Sequence, residues 1–165
     1  QTHPVHASRA ARAPDAAISD WLLIDQRRIT EFGLTTNDPD PLHIDPDYAR
    51  RHGPFGTTIS FGFLTMALLT HFFHQATPKP GTGYALNYGF DQLRLPNTVK
   101  VGARIRGVFR LLDSEPRGPG RELRRYDVTV EIEGENKPAL AGVWLAMWID
   151  DGIAHPAPRR PDSIA

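Results

Sequence analysis

The sequence predicts an α+β fold, with one long helix enclosed by a curved antiparallel sheet. Three observations lead there. Residues 57–75 (TTISFGFLTMALLTHFFHQ) are apolar nearly all round, and a helix apolar on every side is buried on every side. Beyond residue 80 the chain divides into four segments of about 11 or 12 residues, 84–95, 103–113, 122–133 and 140–150, separated by Gly, Pro and Asn clusters. That is the punctuation of strands joined by turns. At 165 residues the chain has the length of one domain, typically ~100–200 residues, so helix and strands must share a core.

Residues 1–18 hold Ala, Arg, Pro and His without an apolar stretch and are expected to form a flexible arm rather than a secretory signal. Trp21-Leu22-Leu23-Ile24 is a short apolar run suited to a strand or turn, after which Ile29, Phe32 and Leu34 give a helical stripe. Residues 36–46 contain three prolines and three aspartates in eleven positions. Proline fixes φ and leaves few conformations to lose on folding, so a stiff, ordered loop is expected. Residues 47–52 suit one helical turn, stopped by Gly53-Pro54. The long helix follows, with Thr57 or Thr58 as N-cap. In the third strand Val128, Val130 and Ile132 alternate with Thr129 and Glu131, whereas the fourth is apolar on both faces and should be central. A proline-rich tail takes 153–165, leaving 19–152 as the folded domain. A sheet wrapped about one helix is the hot-dog layout.

Nineteen basic residues balance nineteen acidic ones, so no net field draws the protein to nucleic acid or to an anionic membrane. There is no cysteine, which excludes disulfides, thiolate chemistry and Cys-type zinc sites. The longest apolar run, 61–69, falls short of the ~20 residues that span a bilayer. A soluble, cytoplasmic protein is expected.

The stiff loop carries the candidate chemistry. Asp38 and His43 stand five residues apart, separated by Pro39-Asp40-Pro41-Leu42. Adding water across an activated double bond needs one group to take a proton from water and another to deliver one to carbon, and a carboxylate with an imidazole suits both tasks. The spacing is equally satisfied by a structural turn, with Asp38 capping it and His43 solvated.

Residues 32–46, FGLTTNDPDPLHIDP, resemble the D-x-N-P-[LIV]-H-x-D-P motif of (R)-specific enoyl-CoA hydratases. The chain is similar to MaoC-like dehydratases, and in particular to their nodulation protein N subgroup. The likeness continues through Pro54-Phe55-Gly56, residues 59–65 (ISFGFLT), 86–96 (LNYGFDQLRLP) and 101–107 (VGARIRG), covering roughly residues 25–150. The resemblance implies a hot-dog fold in which Asp38 and His43 activate water and the Gly62 N–H supplies the oxyanion hole. Physical chemistry favours Gly62 independently, since glycine admits close approach to the backbone and an N–H in a helix's first turn stabilises developing negative charge. Ser60, Phe61, Phe63, Asp40 and Asn87 are the expected substrate-contacting residues. Three positions depart from the family pattern: Asp40 replaces an asparagine, Phe61 a histidine and Asp91 an asparagine.

Other constellations are weaker. Thr58-Ile59-Ser60-Phe61-Gly62 lacks the first glycine of a G-x-S-x-G elbow, and no apolar strand precedes Ser60. His71 and His74, three apart on the long helix, lack an H-E-x-x-H pattern and suit packing or a helix-dipole partner better than a metal. Asp45 suits an N-cap, with Pro46 at the first helical position. Arg94, Lys100, Arg104 and Arg106 are candidates for coenzyme A phosphates or for a solvated strand face. Trp144 and Trp148 suit sheet packing or a subunit interface.

The expected activity is reversible hydration of a trans-2-enoyl thioester of coenzyme A or a carrier protein to the (R)-3-hydroxyacyl thioester. No cofactor is expected beyond coenzyme A as part of the substrate, and no metal. A hot dog has an exposed sheet edge, so a homodimer is expected. Acyl-thioester hydrolysis and a non-catalytic acyl- or partner-binding module are the alternatives.

Overall fold

The computed structural model describes residues 15–77 and 81–156. The first fourteen residues of the expected arm and residues 157–165 of the expected tail lie outside the described residues. The arm's end is structured: β1 (Ala17–Ile18) pairs with the sheet through Phe109 and Val108.

The four long strands form where their punctuation places them. They are β3 (Tyr84–Arg94), β4 (Arg104–Pro116), β5 (Arg121–Ile132) and β6 (Leu140–Ile149). The sheet is antiparallel in the order β1-β4-β5-β6-β3, with the short β2 (Leu22–Leu23) also on β4. The doubly apolar β6 is internal, between β5 and β3. Successive side chains of a strand point to opposite faces, and alternate residues of β5, Tyr126, Val128, Val130 and Ile132, reach one core with Ile105 and Phe109 of β4 and Leu140 and Trp144 of β6.

The core's other half is helical. α4 (Gly62–Ala67) and α5 (Leu69–Ala76) continue one another through Leu68, whose N–H donates to Leu64 and whose carbonyl accepts from Phe72. Leu64, Leu69 and Phe72 are buried against the sheet, and Phe73 meets Phe109, Tyr126 and Trp144 edge-on at 5.1 to 5.3 Å between ring centroids. Gly107 lets the helix seat directly on β4. A Cβ there would lie 2.6 Å from the Cβ of Phe72 and 2.7 Å from the Phe109 ring.

The helix differs from its expectation in two ways. It begins at Gly62, with Phe61 as N-cap, while residues 58–61 run extended: Ile59 bridges Lys100, the Ser60 N–H donates to Val99, and Val101 donates to Thr58. Thr57, Thr58 and Ile59 are consecutive β-branched residues, which favour extended backbone, and the segment around Lys100, between β3 and β4, receives Ile59 in an isolated bridge. The helix is also not buried all round, since Phe63 is 71% exposed.

Between β2 and this segment lie α1 (Gln26–Thr35), α2 (Pro41–Ile44) and α3 (Pro46–His52). The stiff loop thus contains a helical turn of its own. Asp40 caps it through the Leu42 N–H, with Pro41 in its first turn.

Candidate active site

The site is assembled from the end of α1 upward. Thr36 is the C-cap of α1 and Asn37 has φ 55°, the left-handed conformation that asparagine tolerates better than most residues. The Asp38 N–H returns to the carbonyl of Gly33 at 2.8 Å and the Asn37 N–H to that of Leu34 at 3.3 Å, the paired bonds of a Schellman motif. The Asp38 backbone is therefore fixed to the helix, while its side chain stands at the surface. Of the three loop aspartates, Asp40 caps α2 and Asp45 caps α3 through the N–H groups of Asp47 and Tyr48. Asp38 caps neither helix.

His43, on α2, is half-buried. Its ring stacks on Phe61, centroids 3.8 Å apart and planes inclined by 29°, and its Nδ1 lies 2.8 Å from the carbonyl oxygen of Ile59. A carbonyl only accepts, so Nδ1 carries a proton, and of the two neutral tautomers the bond selects the one whose lone pair is on Nε2. The solvated histidine of the structural-turn alternative is not what forms. Gly33 joins the two candidates: a Cβ there would lie 3.0 Å from both the Asp38 carbonyl oxygen and Cζ of Phe61. The Asp38 backbone and the ring under His43 thus rest on one glycine.

Gly62 opens α4 directly after Phe61, which offers no side-chain cap, so no side chain takes the helix's leading N–H groups. A Cβ on Gly62 would lie 2.5 Å from Cδ1 of Leu95; the space beside it is covered by a movable, exposed side chain.

Comparisons with known proteins place the chain in a family. The family model for the MaoC like domain matches residues 5–135. The chain belongs to the MaoC-like family. Nodulation protein N of Rhizobium meliloti is 42% identical over 130 residues, 78% of this chain and 81% of that protein. The 3-hydroxyacyl-thioester dehydratase Z of Mycobacterium tuberculosis is 41% identical over 140 residues, 85% of this chain and 92% of that one. Among solved structures, R-hydratase PhaJ1 from Pseudomonas aeruginosa in the unliganded form has the same fold, with a TM-score of 0.68 at 22% identity over 92% of this chain and 94% of its own.

Within this MaoC-like chain the remaining expected contacts separate. Phe61 is buried beneath His43 and tilted against Phe32 at 5.3 Å. Ser60 is buried and donates to the Phe61 carbonyl at 3.3 Å; its hydroxyl bonds helix backbone rather than His43. Phe63 lies exposed on the first turn of α4, and Asn87 lies exposed on β3, paired with Ala146. The carboxylate of Asp40 is occupied by its cap. Arg104 and Arg106 are engaged with Glu133 and Glu131 at 3.0 and 2.8 Å, and Arg106 lies 4.4 Å from the Trp21 ring centroid. Arg94 donates to its neighbour's carbonyl, Leu93. Trp144 is core, and Trp148 stacks with Arg124 at 4.9 Å.

His71 is a packed histidine, tilted against Phe72 at 5.6 Å. Burial, then the charge of Arg28 and then His74, hold its ring below the usual imidazole range. Among the described residues no group of three or more His, Asp or Glu is placed to hold a metal, and no helix is long and apolar enough to cross a membrane.

Two participants were not legible in the sequence. Thr58, expected as a helix cap, is fully buried and donates its hydroxyl to Gln26, whose amide reaches the His43 carbonyl. These contacts span 32 and 17 residues, and no local pattern announces them. The left-handed Asn37 did have a signal, an asparagine directly after a helical stripe.

Proposed function

We propose that the chain catalyses the reversible hydration of a trans-2-enoyl thioester to the (R)-3-hydroxyacyl thioester. The observation that carries it is the bond from His43 Nδ1 to the Ile59 carbonyl, which fixes the tautomer and leaves Nε2 free to exchange a proton. Asp38 is the second proton-handling group. In hydration, the pair removes a proton from water as its oxygen bonds to C3. The double-bond electrons move toward the thioester carbonyl, whose developing negative charge is held by the Gly62 N–H, and a proton is delivered to C2. Dehydration runs these steps in reverse. The dehydratase and R-hydratase names of the relatives and of the solved structure support this reaction class and its (R) sense.

The thioester is carried by coenzyme A or by a carrier protein. The working unit is a homodimer, for which β3 supplies the contact: it is an edge of the sheet, 11 residues long, with Tyr84, Leu86 and Tyr88 exposed along it. An edge of that length is a template for a second strand, and two copies would make one continuous sheet.

Crotonyl-CoA tests the reaction by loss of enoyl-thioester absorbance, with free thiol followed in the same cuvette. Hydration without thiol release is expected. Thiol release from saturated acyl-CoA without hydration of crotonyl-CoA would make the protein a thioesterase and overturn the proposal.

A further inference from the structure

We propose that Gln26 is a positioning residue for His43, acting through a closed circuit of hydrogen bonds that sets the height and tautomer of the imidazole. It rests on the hydratase reading only for its kinetic readout.

Gln26 is the first residue of α1, and its carboxamide lies where three segments meet. Nε2 donates to the His43 carbonyl at 2.8 Å and to Oγ1 of Thr30 at 3.2 Å. Oε1 accepts from Oγ1 of Thr58 at 2.5 Å. The next residue, Ile59, accepts from His43 Nδ1 at 2.8 Å. The path therefore runs from the His43 main chain to Gln26, on to Thr58 and Ile59, and back to the His43 ring. Thr58 and Ile59 are themselves held by Val101 and Lys100, so the circuit is anchored to strand-like backbone.

A carboxamide is required because one end must donate and the other accept. Glutamate in its place keeps an acceptor for Thr58 but faces the His43 carbonyl with a second acceptor. Alanine leaves that carbonyl and the buried Thr58 hydroxyl without this partner, and unsatisfied buried polar groups drive local rearrangement. Either change frees the His43 main chain from the residues that hold its ring. The Nδ1–H bond to Ile59 then lengthens, and the alternative tautomer becomes accessible. Displacements of ~1 Å at a reacting group cost roughly 100-fold in rate.

The test pairs kinetics with long-range proton–nitrogen NMR of the full chain at about pH 8.5, where free imidazoles are neutral, assigning His43 by its loss in His43→Gln. The wild type is expected to show a single Nδ1–H tautomer. In Gln26→Glu and Gln26→Ala a tautomer mixture is expected, with kcat for crotonyl-CoA lowered roughly 10- to 100-fold and KM within about twofold, since neither change is expected to touch the thioester. Thr58→Val should behave alike, and Thr58→Ser, which keeps the hydroxyl, should restore both readouts. A folded Gln26→Glu with the Nδ1–H tautomer intact and kcat within about twofold of wild type would overturn the proposal. If the Gln26 variants do not fold, the Thr58 pair decides: equal tautomer and kcat in Thr58→Val and Thr58→Ser would overturn it equally. Absence of hydration by the wild type would remove the reaction assignment, and the tautomer comparison would still decide the role of Gln26.

Discussion

Replacing Gly33 with alanine should separate activity from stability. The added methyl would sit 3.0 Å from the Asp38 carbonyl oxygen and 3.0 and 3.2 Å from two carbons of the Phe61 ring. Optimal carbon contacts are ~3.5–4.0 Å, so the loop and the ring must part from the helix by about 0.5–1 Å. Overpacking of this kind costs ~1–3 kcal/mol. It is partly offset by the roughly 1 kcal/mol by which alanine is the better helix former, since Gly33 lies within α1 and is not among the positive-φ glycines. A net loss of about 0–2 kcal/mol leaves the protein folded. The same movement displaces the Asp38 main chain and the ring under His43 in different directions, and for ~1 Å a loss of about 100-fold in kcat is expected. Thermal unfolding and crotonyl-CoA hydration on the same preparation give both numbers. A Gly33→Ala protein with unchanged Tm and kcat within about threefold of wild type would refute the shared-floor account of the site.

Gly107→Ala should behave oppositely, destabilising by about 3 kcal/mol or more, because its methyl meets the Phe72 Cβ and the Phe109 ring in the sealed core; denaturant unfolding at constant m-value measures it. His71 predicts a pH dependence. Its folded-state proton affinity is lowered, chiefly by burial, so below about pH 6.5 the unfolded chain binds a proton that the folded one resists. The stability associated with the neutral ring is complete above that pH and falls as the pH drops toward the folded value. Tm measured from pH 7.5 to 5.5 should therefore fall less steeply in His71→Gln than in wild type, and parallel curves would remove His71 as a cause.

The strand pattern was legible because turn residues and two-residue alternation are local signals, and the boundaries of β6 and β3 fall within a residue or so of their expected ends. The helix start was not. Its apolar run reads as continuous from residue 57, but pairing of Ile59 with Lys100 is a tertiary event that overrides a helical pattern in a β-branched stretch. The exposure of Phe63 was hidden for a related reason: an apolar helix reads as buried whether it is covered by its own sheet or left open to a substrate or second copy. At the site, Asp38 and His43 were visible as residue types on a stiff loop, and resemblance to the MaoC-like family selected them. Their supports were less visible. Gly33 looks like any helical glycine, and Gln26 and Thr58 act across 17 and 32 residues, where sequence gives no distance.

The central claim is that Asp38 and His43 together handle the proton of water. Hydration of crotonyl-CoA by Asp38→Asn and by His43→Gln tests it directly. Each variant should lose ~10²–10⁴-fold in kcat, and the double variant should lose little more than the worse single one, as groups acting as a unit do. Asp38→Asn, an isosteric change at the surface, should keep the wild-type Tm. A folded Asp38→Asn or His43→Gln protein that hydrates crotonyl-CoA within about tenfold of the wild-type rate would contradict the account.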